Sequence, residues 1–180
     1  MGSIRTNRLR DETQAACQRI VLADFFEDLI EGLAEGPFLD PETDEPDFRQ
    51  RLVFDLPGDL AVAAAPDTLA AILRDILRNA IMYSLKAAPV HISAYLAGNA
   101  VQIDVMDEGY GVRESERERV FMPFMRARQP QIIGEFGYGL SLYLCKYEAE
   151  AMGGRLWFDS EEGQGSTFSI KLPAWRTASE

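Results

Sequence analysis

From Pro66 onward, apolar side chains recur at three- and four-residue intervals: Leu69, Ile72, Leu73, Ile76, Leu77, Ala80 and Ile81. That period marks one face of an amphipathic helix, predicted over residues 66–84. The period then changes to two. Val90, Ile92, Ala94 and Leu96 alternate with other residues, Gly98-Asn99 forms a tight-turn pair, and Val101, Ile103 and Val105 alternate back. A β-hairpin is expected there. Leu156 and Phe158, then Phe168, Ile170 and Leu172, predict a second hairpin around Gly163-Gln164-Gly165.

The other segments are read with the same rules. Residues 4–19 form a polar, arginine-rich helix with a weak stripe of Ile4, Leu9, Ala16 and Ile20, too short to stand alone. Asp24 and Glu27 make an N-terminal capping pair for a helix carrying Phe25, Phe26, Leu29, Ile30 and Leu33. Residues 37–47 are proline-rich and acidic, a surface loop. Leu52, Phe54 and Leu56 mark one short strand and residues 60–64 its pair, joined by Pro57-Gly58-Asp59. A short charged helix is expected near 114–121, and a third long helix from about Gly139 to Met152, stopped by Gly153-Gly154. The order is strand pair, helix, hairpin, helix, hairpin. It implies an α+β two-layer sandwich, with helices on one face of a mixed, mostly antiparallel sheet.

Composition narrows the function. The chain has 180 residues, with 18 Lys and Arg against 29 Asp and Glu, a net charge of −11. Nucleic acid and anionic membrane are poor partners for such a surface. A polyanion could still be held locally by backbone N–H groups and a bound cation. Two distant cysteines and one histidine argue against a disulfide framework or a zinc site. There is no apolar run of about 18 residues and no signal peptide, so the expected location is cytoplasmic. Met1-Gly2-Ser3-Ile4-Arg5-Thr6 fits an N-myristoylation pattern. Met1-Gly2-Ser3 is read instead as a scar from expression.

Three features carry chemistry. Asp75, Asn79 and Met82 share one stripe of the 66–84 helix, away from its apolar face. They are either a solvated face or an oxygen site for a hard cation such as Mg²⁺. Asp107-Glu108-Gly109-Tyr110-Gly111 leaves a strand directly, as a surface turn or as a place where backbone approaches a ligand closely. Gly134, Gly137 and Gly139 lead into a helix, which suits a phosphate cradle or a flexible loop. Neither the Walker A nor the dinucleotide spacing is met.

Taken in order, these segments resemble the ATP-binding domain shared by bacterial sensor histidine kinases and gyrase-type ATPases, the Bergerat fold. Residues 72–84 resemble its N box, and Asp107-Glu108-Gly109-Tyr110-Gly111-Val112 its first glycine box. Val120-Phe121-Met122-Pro123-Phe124-Met125-Arg126-Ala127 resembles the phenylalanine box that marks histidine kinases. Gly137-Tyr138-Gly139-Leu140-Ser141-Leu142 resembles the second glycine box, and Gly163-Gln164-Gly165-Ser166-Thr167-Phe168 the closing glycine motif. The match runs from about residue 20 to 173. It implies a sheet of about five strands with three long helices on one face.

The resemblance also implies roles. Asn79 would bind Mg²⁺, and Asp107 would accept a hydrogen bond from the adenine amino group. Tyr83 would lie against the nucleotide, Gly109 and Gly111 would line the base pocket, and Thr167 would join the nucleotide site. Gly137, Gly139 and Leu140 would present N–H groups to the phosphates. Residues 126–136 would form a mobile lid over Phe121 and Phe124, with Arg126 and Arg128 in reach of phosphate. Three positions depart from the family pattern. Met82 replaces a common Lys and removes a cation. Asp75 stands where histidine kinases usually carry Asn and gyrase-type relatives a catalytic Glu, so it could act as base or metal ligand. Ser141 replaces a glycine, which a helix tolerates.

The expected activity is therefore transfer of the γ-phosphoryl of Mg-ATP to a histidine on a separate phosphoacceptor and dimerisation domain, with a response regulator downstream. His91, in the alternating strand 90–92, is read as a sheet-face residue and not as the acceptor. The expected organisation is a scar plus the helical tail of a missing hairpin over 1–19, the catalytic domain over 20–174 and a tail over 175–180. Such a fragment is expected to be monomeric. The rival readings are a degenerate protein-interaction module, favoured by Met82, and an anti-sigma-type serine kinase, opposed by the phenylalanine box.

Overall fold

The structure is a computed structural model that describes residues 2–35, 47–85, 88–122 and 141–176. Its elements in order are α1 (Gly2–Ala15), β1 (Gln18–Val21), α2 (Leu22–Ala34), β2 (Leu52–Asp55), β3 (Ala61–Ala64), α3 (Pro66–Tyr83), β4 (Val90–Ala97), β5 (Ala100–Asp107), α4 (Ser141–Ala151), β6 (Arg155–Glu161) and β7 (Gly165–Pro173). Short 3-10 helices, Phe48–Arg51 and Glu114–Phe121, precede β2 and follow β5.

The main sheet has five strands in the order β2-β4-β5-β7-β6. Only the β2–β4 pair is parallel; the other three pairs are antiparallel. This is the expected mixed sheet with helices on one face. The helix α3 buries Leu69, Ile72, Leu73, Ile76, Leu77, Ala80 and Ile81, the seven positions marked by the apolar period. Pro66 occupies the first turn, where a missing N–H costs nothing. The core side of the sheet is supplied by Val90, Ile92 and Ala94 of β4, Val101, Ile103 and Val105 of β5, and Phe168, Ile170 and Leu172 of β7. Both hairpin registers follow from their tight turns.

Three expectations need correction. The first helix ends at Ala15, and Gln18–Val21 is a strand antiparallel to β3. Ile20 and Val21 are β-branched, and β3 offers them an edge, so tertiary pairing overrides the weak helical stripe. The second helix starts at Leu22 with no side-chain cap, so Asp24 lies inside its first turn. Its Leu22 N–H is satisfied by the Leu60 carbonyl at 3.0 Å instead. Finally, β2 and β3 do not pair with each other. The Pro57-Gly58-Asp59 turn sends β2 to the main sheet and β3 to a two-stranded sheet with β1.

That small sheet is tied to the large one. Trp175 N–H donates to the Ala61 carbonyl at 2.9 Å, and Val62 bridges Ala174. The helix α1 lies alongside α4. His91 sits within β4, between Val53 and Met106, as read from its strand. Cys17 and Cys145 are both free thiols. Among the described residues, no helix is long and apolar enough to cross a membrane.

Candidate functional site

The loop after β5 is built by backbone pressing on backbone. Ser84, just past α3, bridges Gly109. Leu85 N–H donates to the Glu108 carbonyl at 3.1 Å, and Tyr110 N–H to the Tyr83 carbonyl at 3.3 Å. A Cβ on Gly109 would overlap the Tyr83 carbonyl oxygen, and one on Gly111 the Glu161 carbonyl. Gly111 also has φ +61, which side-chain-bearing residues rarely adopt. The room these glycines leave is therefore taken up by protein backbone. Gly163 N–H reaches the Tyr110 carbonyl at 2.8 Å, so the β6–β7 turn holds the loop from its other side.

Asp107 ends β5 inside this arrangement and is only 4% exposed. Burial raises its pKa to about 7, against the pull of the Ser166 and Gly109 backbone N–H groups and the Arg51 charge. A carboxylate can accept about four hydrogen bonds, so beside these two N–H groups it has capacity for a further donor, such as an exocyclic amine. Register places Ser166, not Thr167, opposite Asp107; Thr167 pairs with Met106 and so lies on the other face of the strand. Ser166 does not figure among the residues the sequence singles out. Counting back along β7 from the buried Phe168 finds it once the pairing is known.

Asn79 is half-buried, and its Nδ2 donates to the Asp75 carbonyl one turn back at 2.9 Å. The amide nitrogen is thereby engaged within the helix, leaving Oδ1 as the atom suited to a hard cation. No group of three or more His, Cys, Asp or Glu among the described residues could hold a metal alone. One neutral oxygen fits Mg²⁺ that arrives with phosphate and keeps its waters. Asp75 is half-buried rather than solvated. Its Oδ1 lies 3.3 Å from Arg74 Nε and its Oδ2 is 3.9 Å from Cys145 Sγ on α4. Burial, with Asp75 next in weight, pushes up both Cys145 and Glu148. Both carboxylate oxygens of Asp75 thus face protein partners.

Phe121 packs edge-on against Phe158 at 5.5 Å, and Phe158 stacks on Phe168 at 5.7 Å. The end of the 3-10 helix is anchored to the sheet this way. Arg113 pairs with Glu162 at 2.7 Å, and Arg117 donates to the Ser160 carbonyl. Ser160 is a buried junction that the sequence did not single out. Its Oγ accepts from Val112 N–H at 2.7 Å and donates to the Gly165 carbonyl at 2.9 Å. Ser160→Ala strands that amide and should cost about 1–3 kcal/mol in urea unfolding. Arg126, Arg128, Gly137, Gly139, Leu140 and Phe124 lie outside the described residues.

Arg51 enters the site from the 3-10 helix before β2. Its guanidinium donates to the carbonyls of Ala88 (2.9 Å), Leu85 (3.3 Å) and Ile81 (3.4 Å), and to Ser84 Oγ.

Residues 64–176 match the family described as histidine kinase-, DNA gyrase B- and HSP90-like ATPase. The adaptive-response sensory kinase SasA of Synechococcus elongatus is 35% identical over 130 residues, 71% of this chain and 33% of that protein. Its counterpart in Prochlorococcus marinus is 36% identical over 124 residues, 67% of this chain and 32% of that protein. The chain thus spans about a third of the length of these relatives. Among solved structures, the mycobacterial sensor histidine kinase MprB superposes with TM-score 0.66 at 19% identity, over 89% of this chain and 99% of the other. The catalytic domain of histidine kinase ThkA gives 0.66 at 21%, over 87% and 95%. These two likenesses concern the fold.

Proposed function

The chain belongs to the histidine kinase-, DNA gyrase B- and HSP90-like ATPase family, and from that premise we propose that it binds Mg-ATP and phosphorylates a histidine on a separate phosphoacceptor domain. The observation that carries this reading is Asp107, a buried carboxyl at the end of β5, framed by Gly109 and the end of α3. In its ionised form it accepts a hydrogen bond from the adenine amino group, which distinguishes ATP from GTP. Tyr83 lies against the nucleotide. Asn79 Oδ1 would hold Mg²⁺, which would supply charge neutralisation on the phosphates. Arg126, Gly137, Gly139 and Leu140 are assigned to the phosphates. An imidazole nitrogen of the acceptor attacks the γ-phosphorus, the bond to the bridging oxygen breaks, and ADP leaves. The protein's part is positioning and charge neutralisation.

His91 is the second residue of β4, paired with Val53 and Met106 within the sheet, so the acceptor histidine comes from elsewhere. The SasA relatives are sensory kinases, which supports a response regulator as the next partner. Residues 20–174 are assigned to the catalytic domain. The five motifs speak for a kinase and against a module that only binds protein.

Titration calorimetry with a non-hydrolysable ATP analogue tests the reading. Parent protein should bind with Mg²⁺ and weaken when the metal is chelated, and Asn79→Ala should lose that difference. Incubation with labelled ATP and a supplied phosphoacceptor domain should label its histidine. Absence of nucleotide binding in the parent would overturn the proposal. Met82→Lys restores a cation at the half-buried end of α3 and should tighten binding about two- to fivefold, less at high salt.

A further inference from the structure

The geometry points to Arg51 as a positioning residue that clamps the C-terminal end of α3 against the Asp107–Tyr110 loop. None of the five motifs contains it. A helix end leaves its last carbonyls without partners. In α3, one guanidinium meets the Ile81 carbonyl from that last turn and the Leu85 and Ala88 carbonyls beyond it. It also holds Ser84 Oγ, which in turn donates to the Ile81 carbonyl at 3.2 Å. A cation at this end is also favoured by the helix dipole.

Two of the clamped residues, Ser84 and Leu85, build the seam beside Asp107 together with Tyr83, which directly precedes them. Tyr83 accepts from Tyr110 N–H, Ser84 bridges Gly109, and Leu85 donates to the Glu108 carbonyl. Arg51 sits immediately before β2, and β2 pairs with β4, whose Val90 is register partner of Asp107. One side chain therefore ties the start of β2 to the helix end and to Leu85 and Ala88 beyond it, and that segment in turn holds the loop. A planar fork is needed to reach several carbonyls at once; an ammonium cannot reproduce that geometry. Charge matters as well. Asp107 is flanked on its neighbouring strands by Val90 and Ser166, both uncharged, and the α3 end brings Tyr83, Ser84 and Leu85. Arg51 is the charged group among the described residues that stabilises the Asp107 carboxylate.

The effect on nucleotide affinity rests on the kinase reading above, but the clamp itself can be read without nucleotide. Amide hydrogen exchange of ligand-free protein is compared for the parent, Arg51→Gln and Arg51→Lys. In Arg51→Gln, the Leu85 and Tyr110 amides should lose about tenfold or more of their protection while the Ile103 amide in β5 keeps its own. Arg51→Lys should recover part of it. The Asp107 carboxyl, followed by carbon NMR, should titrate higher in Arg51→Gln than in the parent, and near the parent value in Arg51→Lys. Affinity for the ATP analogue should fall in the same order. Unchanged protection at Leu85 and Tyr110, or equal loss at Ile103, would overturn the proposal. A parent protein that binds no ATP analogue would overturn the kinase reading alone, because exchange still reports the clamp.

Discussion

Asp107→Asn should weaken ATP binding by about tenfold to a hundredfold, and at the same time make the ligand-free protein more stable at pH 8. The loss follows from a buried, ionised acceptor being replaced by an amide that also carries donors. A hydrogen bond to a charged group is worth about 1.5–3 kcal/mol, which converts to that range of affinity. The gain follows from burial. The folded pKa of about 7 lies above the ordinary carboxyl value of 3.8, so the folded state holds its proton more tightly than the unfolded chain does. Stability from this group is therefore present at low pH and falls as pH rises between about 4 and 7. Above that window the folded protein carries a desolvated carboxylate, a cost the neutral amide avoids. The advantage of the variant in thermal unfolding should shrink as pH falls through 7 and vanish near 4. Binding runs the other way: parent affinity should drop as pH falls below about 7, while the variant stays flat. If the variant binds as tightly as the parent at pH 8, Asp107 does not recognise the base.

Gly165→Ala should be far more damaging than Gly163→Ala, although Gly163 lies in the turn and Gly165 opens β7 only two residues later. Both have positive φ, +106 and +81. At Gly163 a methyl group meets open space, so only the backbone preference is lost, about 1–2 kcal/mol. At Gly165 the methyl overlaps the Asp107 carbonyl oxygen and approaches the Gly109 amide nitrogen, 2.9 Å from the ideal Cβ. Crowding of this kind adds about 1–3 kcal/mol, and neither neighbour is a flexible side chain that can swing away. The strand must shift just where β7 meets the end of β5. Urea unfolding should show the stability difference, and calorimetry should show nucleotide affinity lost in Gly165→Ala and kept in Gly163→Ala. Equal effects at the two positions would mean that the close contact with Asp107 is relieved elsewhere.

The two hairpins and α3 could be read directly because each has a burial period that one element alone explains. The seven apolar positions from Leu69 to Ile81 are all buried, as the three- and four-residue spacing requires. The strands β1, β2 and β3 were harder. Each is only four residues long, too short to carry a period, and their partners are distant in sequence. Gln18 pairs with Ala64 and Leu52 with Val90, so local reading had nothing to choose with. The site divided in the same way. Asp107, Gly109 and Asn79 stood out because a carboxylate leaving a strand, a glycine after it and an amide in mid-helix are each locally odd. Arg51 and Ser160 are ordinary residues in ordinary places. Their roles come from reaching carbonyls and amides about 30 or more positions away.

The amino-acid sequence by itself determined the apolar face of α3, the two hairpins and the family resemblance, and it marked Asp107 as a carboxylate leaving a strand, because periodicity and motif spacing are local properties of a chain. The tertiary structure decided where the short strands pair, that Ser166 rather than Thr167 stands beside Asp107, that the glycines of the loop admit backbone, and that Arg51 closes the end of α3. Those depend on register and on contacts between segments, which exist only once the sheet and the helices have packed.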